Sequence, residues 1–314
     1  MTRMKTDITS ISKDKFKVVG KNLEQMESIS RPNLSYWQDA WRRIRKNKVA
    51  FCSLTLIGIY VLFAIFAPIF SPYDFAKQDA ALINAQISLK HWFGADALGR
   101  DLFVRLWKGA RVSLSIGFVA ALLNTIIGTF IGGVSGYCGG KVDMFIMRLV
   151  DILYGIPNLI VTILIMVIIG RGVTSLIIAM IIVGWIGSCR IVRGEVLRLK
   201  GQEFILAAKV LGVTDFNIIF RHLIPNVMGL IITNLTMAIP SAIFAEAFLS
   251  FIGLGMAPPN SSWGILAKEG IKLLRVSPQQ LIIPSFFICT TILALNLLGD
   301  GLRDAFDPRL RGSD

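Results

Sequence analysis

Charged side chains are scarce in this sequence, and histidine and cysteine are scarcer still. Of the 314 residues, 17% are Asp, Glu, Lys or Arg, two are His and four are Cys. The hydrophobic content of 54% and the mean hydropathy of +0.64 exceed those of ordinary soluble domains. The apolar residues form continuous runs of roughly 20 residues, the length of a spanning helix, whereas β-barrel strands alternate apolar and polar residues. The sequence therefore predicts an all-α, multi-pass membrane protein.

The scarcity of ionisable groups argues against catalysis and against a metal site. His91 and His222 lie in different loops, and no nucleophile motif or clustered carboxylate set stands in the apolar runs. The cysteines show neither metal-ligand spacing nor a CxxC, so we expect four small buried apolar side chains. These positions are Cys52, Cys138, Cys189 and Cys289. We expect no catalytic residue, no metal and no cofactor bound by this chain.

The basic excess and one glycine-rich run need separate explanations. The net charge of +13 is explained by basic residues on the cytoplasmic side of a membrane protein, without nucleic acid as a partner. The run SGYCGGKVD superficially resembles a phosphate-binding loop. Its spacing to Gly140-Lys141 is wrong, and Val142 stands where a hydroxyl would hold magnesium. The chain therefore shows no nucleotide-binding loop of its own.

Six apolar runs predict six transmembrane helices, which place both termini on one side, the cytoplasm. The predicted spans are about 49–70, 112–137, 145–169, 173–191, 227–252 and 281–298. Pro157 is expected to kink the third span. Outside lie the 71–110 loop, the turn at Arg171 and the 253–280 loop. The charges of the first loop are expected to form ion pairs near the surface, worth under about 1 kcal/mol each. These charges are Asp96, Arg100, Asp101, Arg105 and Arg111.

The N-terminal part of the chain differs from the predicted spans in composition. Residues 1–47 are predicted to be a cytoplasmic tail, and residues 48–314 a transmembrane domain that includes a cytoplasmic loop at 193–226. At the end of the tail, Trp37, Ala40, Trp41 and Ile44 fall at helical spacing beside several cations. Two compatible interpretations stand: an amphipathic helix at the lipid interface, or a basic cluster that sets topology.

Two features lie inside the predicted spans. Gly128, Gly132 and Gly136 recur every four residues, a small-residue ridge that favours close helix packing over a substrate path. Glu246 in the fifth span is costly at bilayer depth and normally faces a cavity or a partner. A pore or interhelical contact and a position near the outer interface both remain open for it.

The segment from Arg190 to Asn226 is a polar interruption between two apolar runs. Its residues 203–211 have the pattern of a short helix, which Gly212 can end with a positive φ. Thr214 or Asp215 can cap the next helix, and Pro225 suits the start of the fifth span. We expect a short helix that is rigidly connected to the transmembrane helices and that a partner protein can bind.

This segment resembles the EAA loop of binding-protein-dependent ABC importer permeases. That loop has the pattern Glu-Ala-Ala, three residues, Gly, nine residues, Ile-x-Leu-Pro. Ala207, Ala208, Gly212 and Pro225 match it, with Ile224 at the Leu position. Leu206 replaces the Glu and His222 replaces the Ile.

Longer phrases extend the resemblance over about residues 36–312. FGADALGRDLFVRLWKGARVSL, SGYCGGKVDMFIMRLVDILYGIP and AEAFLSFIGLGMAPPNSSWG are similar to those of the C-type permease in the dipeptide/oligopeptide/nickel subgroup. The resemblance implies a type I permease fold in the bacterial cytoplasmic (inner) membrane. It also implies four partners: a homologous B-type permease, two cytoplasmic ATPase subunits that use ATP and magnesium, and an extracytoplasmic solute-binding protein. The cargo would be di- or oligopeptides or a related solute.

Within this family, residues 201–215 would form the coupling helix that docks on an ATPase. The residues assigned to coupling are Glu203, Leu206, Ala207, Ala208, Lys209, Gly212, Asp215 and Pro225. The alternative function is an ion-coupled secondary transporter, which would be expected to carry several Asp, Glu or His residues in its spans. An intramembrane enzyme is the third and weakest hypothesis.

Overall fold

A computed structural model describes residues 36–306, and the regular structure within that range is helical. The predicted tail before residue 36 and the chain after residue 306 lie outside it. The long helices are α1 (Tyr36–Lys46), α2 (Lys48–Phe70), α3 (Leu102–Cys138), α4 (Gly140–Tyr154), α5 (Asn158–Ile169), α6 (Val173–Lys200), α10 (Met228–Ile252) and α12 (Gln279–Phe306). The short ones are a 3₁₀-helix (Ala80–Leu82), α7 (Glu203–Val210), α8 (Asp215–Asn217), a π-helix (Ile218–Leu223), α9 (Ile224–Asn226) and α11 (Trp263–Ile271).

Five of these helices are long and apolar enough to cross a bilayer: α2, α3, α6, α10 and α12. The predicted third span is divided into α4 and α5, which meet at an angle of 82°. Gly155 ends α4, and Pro157, which has no backbone N–H to donate, stands at the N-cap of α5. The six predicted spans correspond to five helices and this bent pair.

Two helices extend well beyond the apolar runs that predict them. The 37 residues of α3 are roughly 55 Å long at 1.5 Å per residue, against a hydrocarbon core of about 30 Å. The 28 residues of α6 continue to Lys200. The predicted cytoplasmic loop at 193–226 therefore begins inside α6, because Arg193 to Lys200 still follow helical geometry. The polar part of α6 is a rigid extension of a spanning helix.

The contact between α3 and α6 depends on glycine. A methyl group at Gly128 would lie 2.5 Å from Cβ of Ser188, and one at Gly136 would lie 2.8 Å from the carbonyl oxygen of Arg193. A methyl at Gly132 would come closer than 3.0 Å to the carbonyl oxygen of Cys189. The backbones of the two helices thus approach where only glycine fits, as small-residue ridges allow.

The prediction that all four cysteines are buried is wrong for three of them. Cys189 is buried in the α3–α6 contact region, whereas Cys52, Cys138 and Cys289 are exposed. In a bilayer, part of each spanning helix faces lipid rather than protein. An apolar run therefore does not show which of its side chains pack against other helices.

The expectation of surface ion pairs is wrong for Asp96, Arg100, Asp101 and Arg105, which are buried. The acid–base cluster (Asp96, Arg100, Arg105 and Glu269) joins this loop to α11. Nε of Arg100 donates to Asp96 over 2.7 Å, Arg105 also pairs with Asp96, and Nη2 of Arg105 lies 3.1 Å from Glu269. The Arg105 side chain is 1% exposed. Because removing one partner of a buried pair costs about 3–5 kcal/mol, this cluster holds the loop against the helices.

His91, Asp101 and Arg111 also make their polar contacts within the protein. Nδ1 of His91 lies 2.8 Å from the carboxylate of Asp101, which also accepts a hydrogen bond from the backbone N–H of Val104 and so caps α3. Arg111 donates to the carbonyl oxygens of Ala64 and Ile65 at the end of α2. The loop is therefore a folded cover on the ends of α2 and α3.

Candidate functional site: the segment between α6 and α10

The short helix α7 ends in a Schellman turn. The backbone N–H of Val213 donates to the carbonyl of Ala208, and that of Gly212 donates to Lys209, over 3.1 and 3.0 Å. Gly212 has a φ of +75° and no atom within 4 Å of the position its Cβ would take. Glycine is therefore required here by backbone conformation rather than by crowding. The turn directs the chain from α7 back toward the bundle.

One face of α7 is packed against the helices that cross the membrane. Ile205 is fully buried and Ala208 is 6% exposed. They lie in an apolar cluster with residues of α3, α6 and the π-helix, among them Tyr137, Val196 and Ile218. Close-packed side chains therefore hold α7 against α3 and α6.

The opposite face of α7 and the turn after it form an exposed apolar surface, which we call the docking surface. Its members are Phe204, Leu206, Val210, Leu211 and Phe216. Val210 is 88% exposed and Leu211 is 82% exposed. Contiguous apolar surface of this kind marks interaction sites in proteins.

The residues assigned to coupling divide between these two faces. Leu206 belongs to the docking surface, and Glu203, Ala207, Lys209 and Gly212 are exposed beside it. Ala208 instead packs into the bundle, so of the two alanines assigned to coupling only Ala207 lies on the exposed side of α7. Residues three apart share a face of a helix, so Ala208 lies on the buried face of α7 with Ile205.

Asp215 and Lys209 contact Tyr137 at the end of α3, a residue that the sequence analysis missed. The Tyr137 hydroxyl donates to Oδ1 of Asp215 over 2.5 Å. Nζ of Lys209 lies 5.0 Å from the centre of the Tyr137 ring, and Nζ of Lys200 lies 5.6 Å from it. A tyrosine at the end of a long apolar helix follows no motif, and only the fold brings it to the polar segment.

The rest of the segment returns to the membrane through a π-helix. Thr214 occupies the N-cap of α8, but its side chain makes no capping hydrogen bond. Ile218, Ile219 and Leu223 of the π-helix are buried, and His222 is half-buried. Pro225 lies in the first turn of α9, as its missing N–H allows. π-Helical turns frequently occur at functional sites.

A second polar contact fixes the polar end of α6. Asp143 at the start of α4 accepts from the Ser135 hydroxyl over 2.6 Å and from Nη2 of Arg193 over 2.5 Å. Asp151 on α4 likewise pairs with Arg190 of α6. The α3–α4 turn and α6 are thereby joined close to the docking surface.

Glu246 lies between helices and is completely buried. Its carboxylate accepts hydrogen bonds from the hydroxyls of Ser113 on α3 and Ser250 on α10, each over 2.7 Å. Oγ of Ser113 in turn accepts from the backbone N–H of Trp263 at the start of α11. Of the interpretations left open for Glu246, the structure shows an interhelical contact that joins α3, α10 and α11.

Comparison with known proteins gives two family matches. Residues 112–312 match the model of the binding-protein-dependent transport system inner membrane component. Residues 35–86 match the model described as the N-terminal TM domain of oligopeptide transport permease C. The first match covers 201 of the 314 residues and includes most of α3, all of α4 to α12 and the docking surface.

Two relatives from Bacillus subtilis (strain 168) align with nearly the whole chain. The oligopeptide transport system permease protein OppC is 47% identical, over 96% of this chain and 99% of the relative. The dipeptide transport system permease protein DppC is 48% identical, over 93% and 91%.

A solved structure agrees on the fold. An inward-facing conformation of the MetNI methionine ABC transporter superposes with a TM-score of 0.53 and 18% identity, over 65% of this chain and 96% of that one. This similarity concerns the helical arrangement alone. With the family models, it shows that the helices form the type I fold of ABC importer permeases. The chain therefore belongs to the binding-protein-dependent transport system inner membrane components, as a multi-pass permease subunit of a bacterial ABC importer.

Proposed function

We propose that this chain is one of two transmembrane subunits of an ATP-driven importer of di- or oligopeptides. The observation that carries the proposal is the docking surface: an exposed apolar face on a short helix whose other face is packed into the bundle. The names of the two Bacillus subtilis relatives support peptides as the cargo.

The proposed assembly has four further components. A homologous B-type permease completes the membrane part, two cytoplasmic ATPase subunits use ATP and magnesium, and an extracytoplasmic solute-binding protein delivers the peptide. This chain contributes no ATPase site. Both of its termini and α7 lie on the cytoplasmic side, where the ATPases are.

The geometry suggests how work done by an ATPase reaches the membrane. An ATPase that binds Leu206, Val210 and Leu211 moves α7 with it. Because Ile205 and Ala208 pack α7 against α3 and α6, these two helices move as well. The hydrogen bond from Tyr137 to Asp215 adds a polar link to the end of α3. Closure of the ATPases then shifts the spanning helices between two arrangements, as nucleotide-driven switching requires.

The proposed docking is tested by making one exposed leucine of the docking surface charged. Full burial of a leucine side chain contributes about 1.5–3 kcal/mol, so Leu211→Asp is expected to weaken ATPase association about 10- to 100-fold. The matched control is Leu89→Asp, since Leu89 is 98% exposed but lies in the 71–110 loop. The measurement is the amount of ATPase subunits that co-purifies with the membrane complex, together with peptide uptake into proteoliposomes.

The two variants give a clear decision. Loss of ATPase association and uptake for Leu211→Asp, with both retained for Leu89→Asp, supports the proposal. Equal retention of the ATPases by the two variants would show that α7 is not the docking site. Uptake of peptide by this chain without any ATPase subunit would favour an ion-coupled carrier instead.

A further inference from the structure

A cavity of about 610 Å³ lies between α3, α5, α6 and α10. Its polar lining consists of amide and hydroxyl side chains, and its remaining lining residues are apolar or glycine. None of the lining residues carries a formal charge. The polar residues are Asn124, Asn158, Thr162, Ser188, Asn234 and Ser241. The volume falls within the range of small-molecule sites, about 300–1,000 Å³.

The amide groups of the wall are only partly used by the protein itself. Nδ2 of Asn234 donates to Oγ of Ser188 over 2.7 Å, which joins α10 to α6. Nδ2 of Asn124 makes only a long contact of 3.4 Å to the carbonyl of Met180. Oδ1 of Asn124 is buried and has no hydrogen-bond partner among the described residues. A buried acceptor without a donor costs about 1–3 kcal/mol, so it favours a molecule that brings an N–H.

Two glycines of α6 shape the wall. A methyl group at Gly184 would collide with the side-chain amide of Asn124, so this glycine makes room for the asparagine. At Gly187, by contrast, no atom lies within 4 Å of where a Cβ would be. Gly187 belongs to the lining of the cavity, and a larger side chain there would project into it.

We propose that this cavity is the part of the translocation route contributed by this subunit, and that it takes a peptide chain by its backbone amides without selecting for side-chain charge. Neutral amides both donate and accept hydrogen bonds, as a peptide backbone does. A wall without formal charge neither attracts nor repels side chains of either sign. The inference rests on the proposed function, since it concerns the route that the imported peptide follows.

The test introduces a charge into the cavity at Gly187. The complete complex, with its partner permease, ATPases and binding protein, is reconstituted in proteoliposomes and supplied with labelled Ala-Lys-Ala or Ala-Glu-Ala. Gly187→Lys is expected to lower the uptake ratio of the lysine probe to the glutamate probe at least about tenfold relative to wild type, through like-charge repulsion. Gly187→Glu is expected to raise the same ratio. The same binding protein is used throughout, so its own preference cancels.

If the complexes with charged variants do not assemble, two uncharged substitutions, Gly187→Phe and its control Gly58→Phe, still test the proposal. Gly58 on α2 also has no atom within 4 Å of a Cβ and lies outside the cavity. Gly187→Phe is expected to reduce uptake of both probes at least about tenfold with the complex still assembled, whereas Gly58→Phe retains wild-type uptake.

The outcomes separate this inference from the proposed function. Opposite shifts of the probe ratio, or selective loss for Gly187→Phe, support the cavity as the route. Unchanged uptake in all Gly187 variants, or an equal loss of both probes in the two charged variants of an assembled complex, overturns it while peptide import stands. A wild-type complex that hydrolyses ATP with its binding protein but takes up neither probe would overturn the proposed function itself.

Discussion

Two adjacent glycines on α3 provide a direct test of how this bundle is held together. Gly132 and Gly133 are both buried in the same helix, but they point to different neighbours. A methyl group at Gly132 would come closer than 3.0 Å to the carbonyl oxygen of Cys189 and 3.1 Å from the backbone nitrogen of Arg193. A methyl group at Gly133 would meet only Cγ2 of Ile219, at 3.6 Å. The perturbation is Gly→Ala at each position in turn.

The expected difference follows from these distances. Both substitutions gain the same helix propensity, about 1 kcal/mol, so that contribution cancels in the comparison. At Gly132 the obstructing atoms are backbone atoms of α6, which cannot rotate away, and overpacking of this kind costs about 1–3 kcal/mol. At Gly133 the new methyl makes an ordinary contact, worth about 0.8 kcal/mol. Gly132→Ala should therefore have a free energy of unfolding about 2–4 kcal/mol lower than that of Gly133→Ala.

The measurement is the apparent midpoint of thermal unfolding of the purified chain in detergent, at one fixed heating rate because unfolding of membrane proteins is commonly irreversible. Gly132→Ala should melt at or below wild type, because the overpacking cost equals or exceeds the gain in helix propensity, and Gly133→Ala should melt above it. Equal midpoints for the two variants, or the reverse order, would refute the assignment of the glycine ridge to the α3–α6 contact.

Three further predictions concern single polar groups. Tyr137→Phe removes a hydrogen bond to the exposed Asp215, worth about 1 kcal/mol, and should lower peptide transported per ATP hydrolysed up to about fivefold, with ATPase co-purification unchanged. Glu246→Leu leaves two buried hydroxyls without their acceptor and should lower the melting midpoint, whereas Glu246→Gln keeps an acceptor and should stay near wild type. Burial raises the pKa of Glu269 in the folded protein. The contribution of this carboxyl to the free energy of unfolding therefore falls as the pH rises through the raised pKa. The midpoint should therefore drop less between about pH 4 and pH 8 in Glu269→Gln than in wild type; an equal drop would contradict this.

Several ends of the predicted spans coincide with ends of the observed helices. The start of α6 at Val173 and the ends of α2 and α10 at Phe70 and Ile252 lie where the sequence predicts them. The short helix before Gly212 and its positive φ were predicted as well, because a lone glycine after a helical phrase carries its own local conformation. Family membership was also predictable, since the resemblance of long phrases of the chain named the family that the family models match.

The interior partners of polar residues were not predictable in the same way. Glu269 is distant in sequence from Asp96 and Arg105, and the pairs expected at the surface are buried because the loop folds onto α11. The contact of Tyr137 with Asp215 joins residues 78 positions apart. No local pattern encodes such a contact, because it depends on how two helices pack.

What the amino-acid sequence determined by itself was the set of apolar runs, the polar segment between two of them and the turns set by glycine and proline. Each of these depends on side-chain hydrophobicity or backbone freedom, which are properties of neighbouring residues. Only the tertiary structure decided that α6 carries the polar segment to Lys200, that Ala208 faces inward, and that four helices enclose an uncharged cavity. These depend on which faces of distant helices meet, and the 3.6-residue period alone does not say which face is covered by protein and which by lipid.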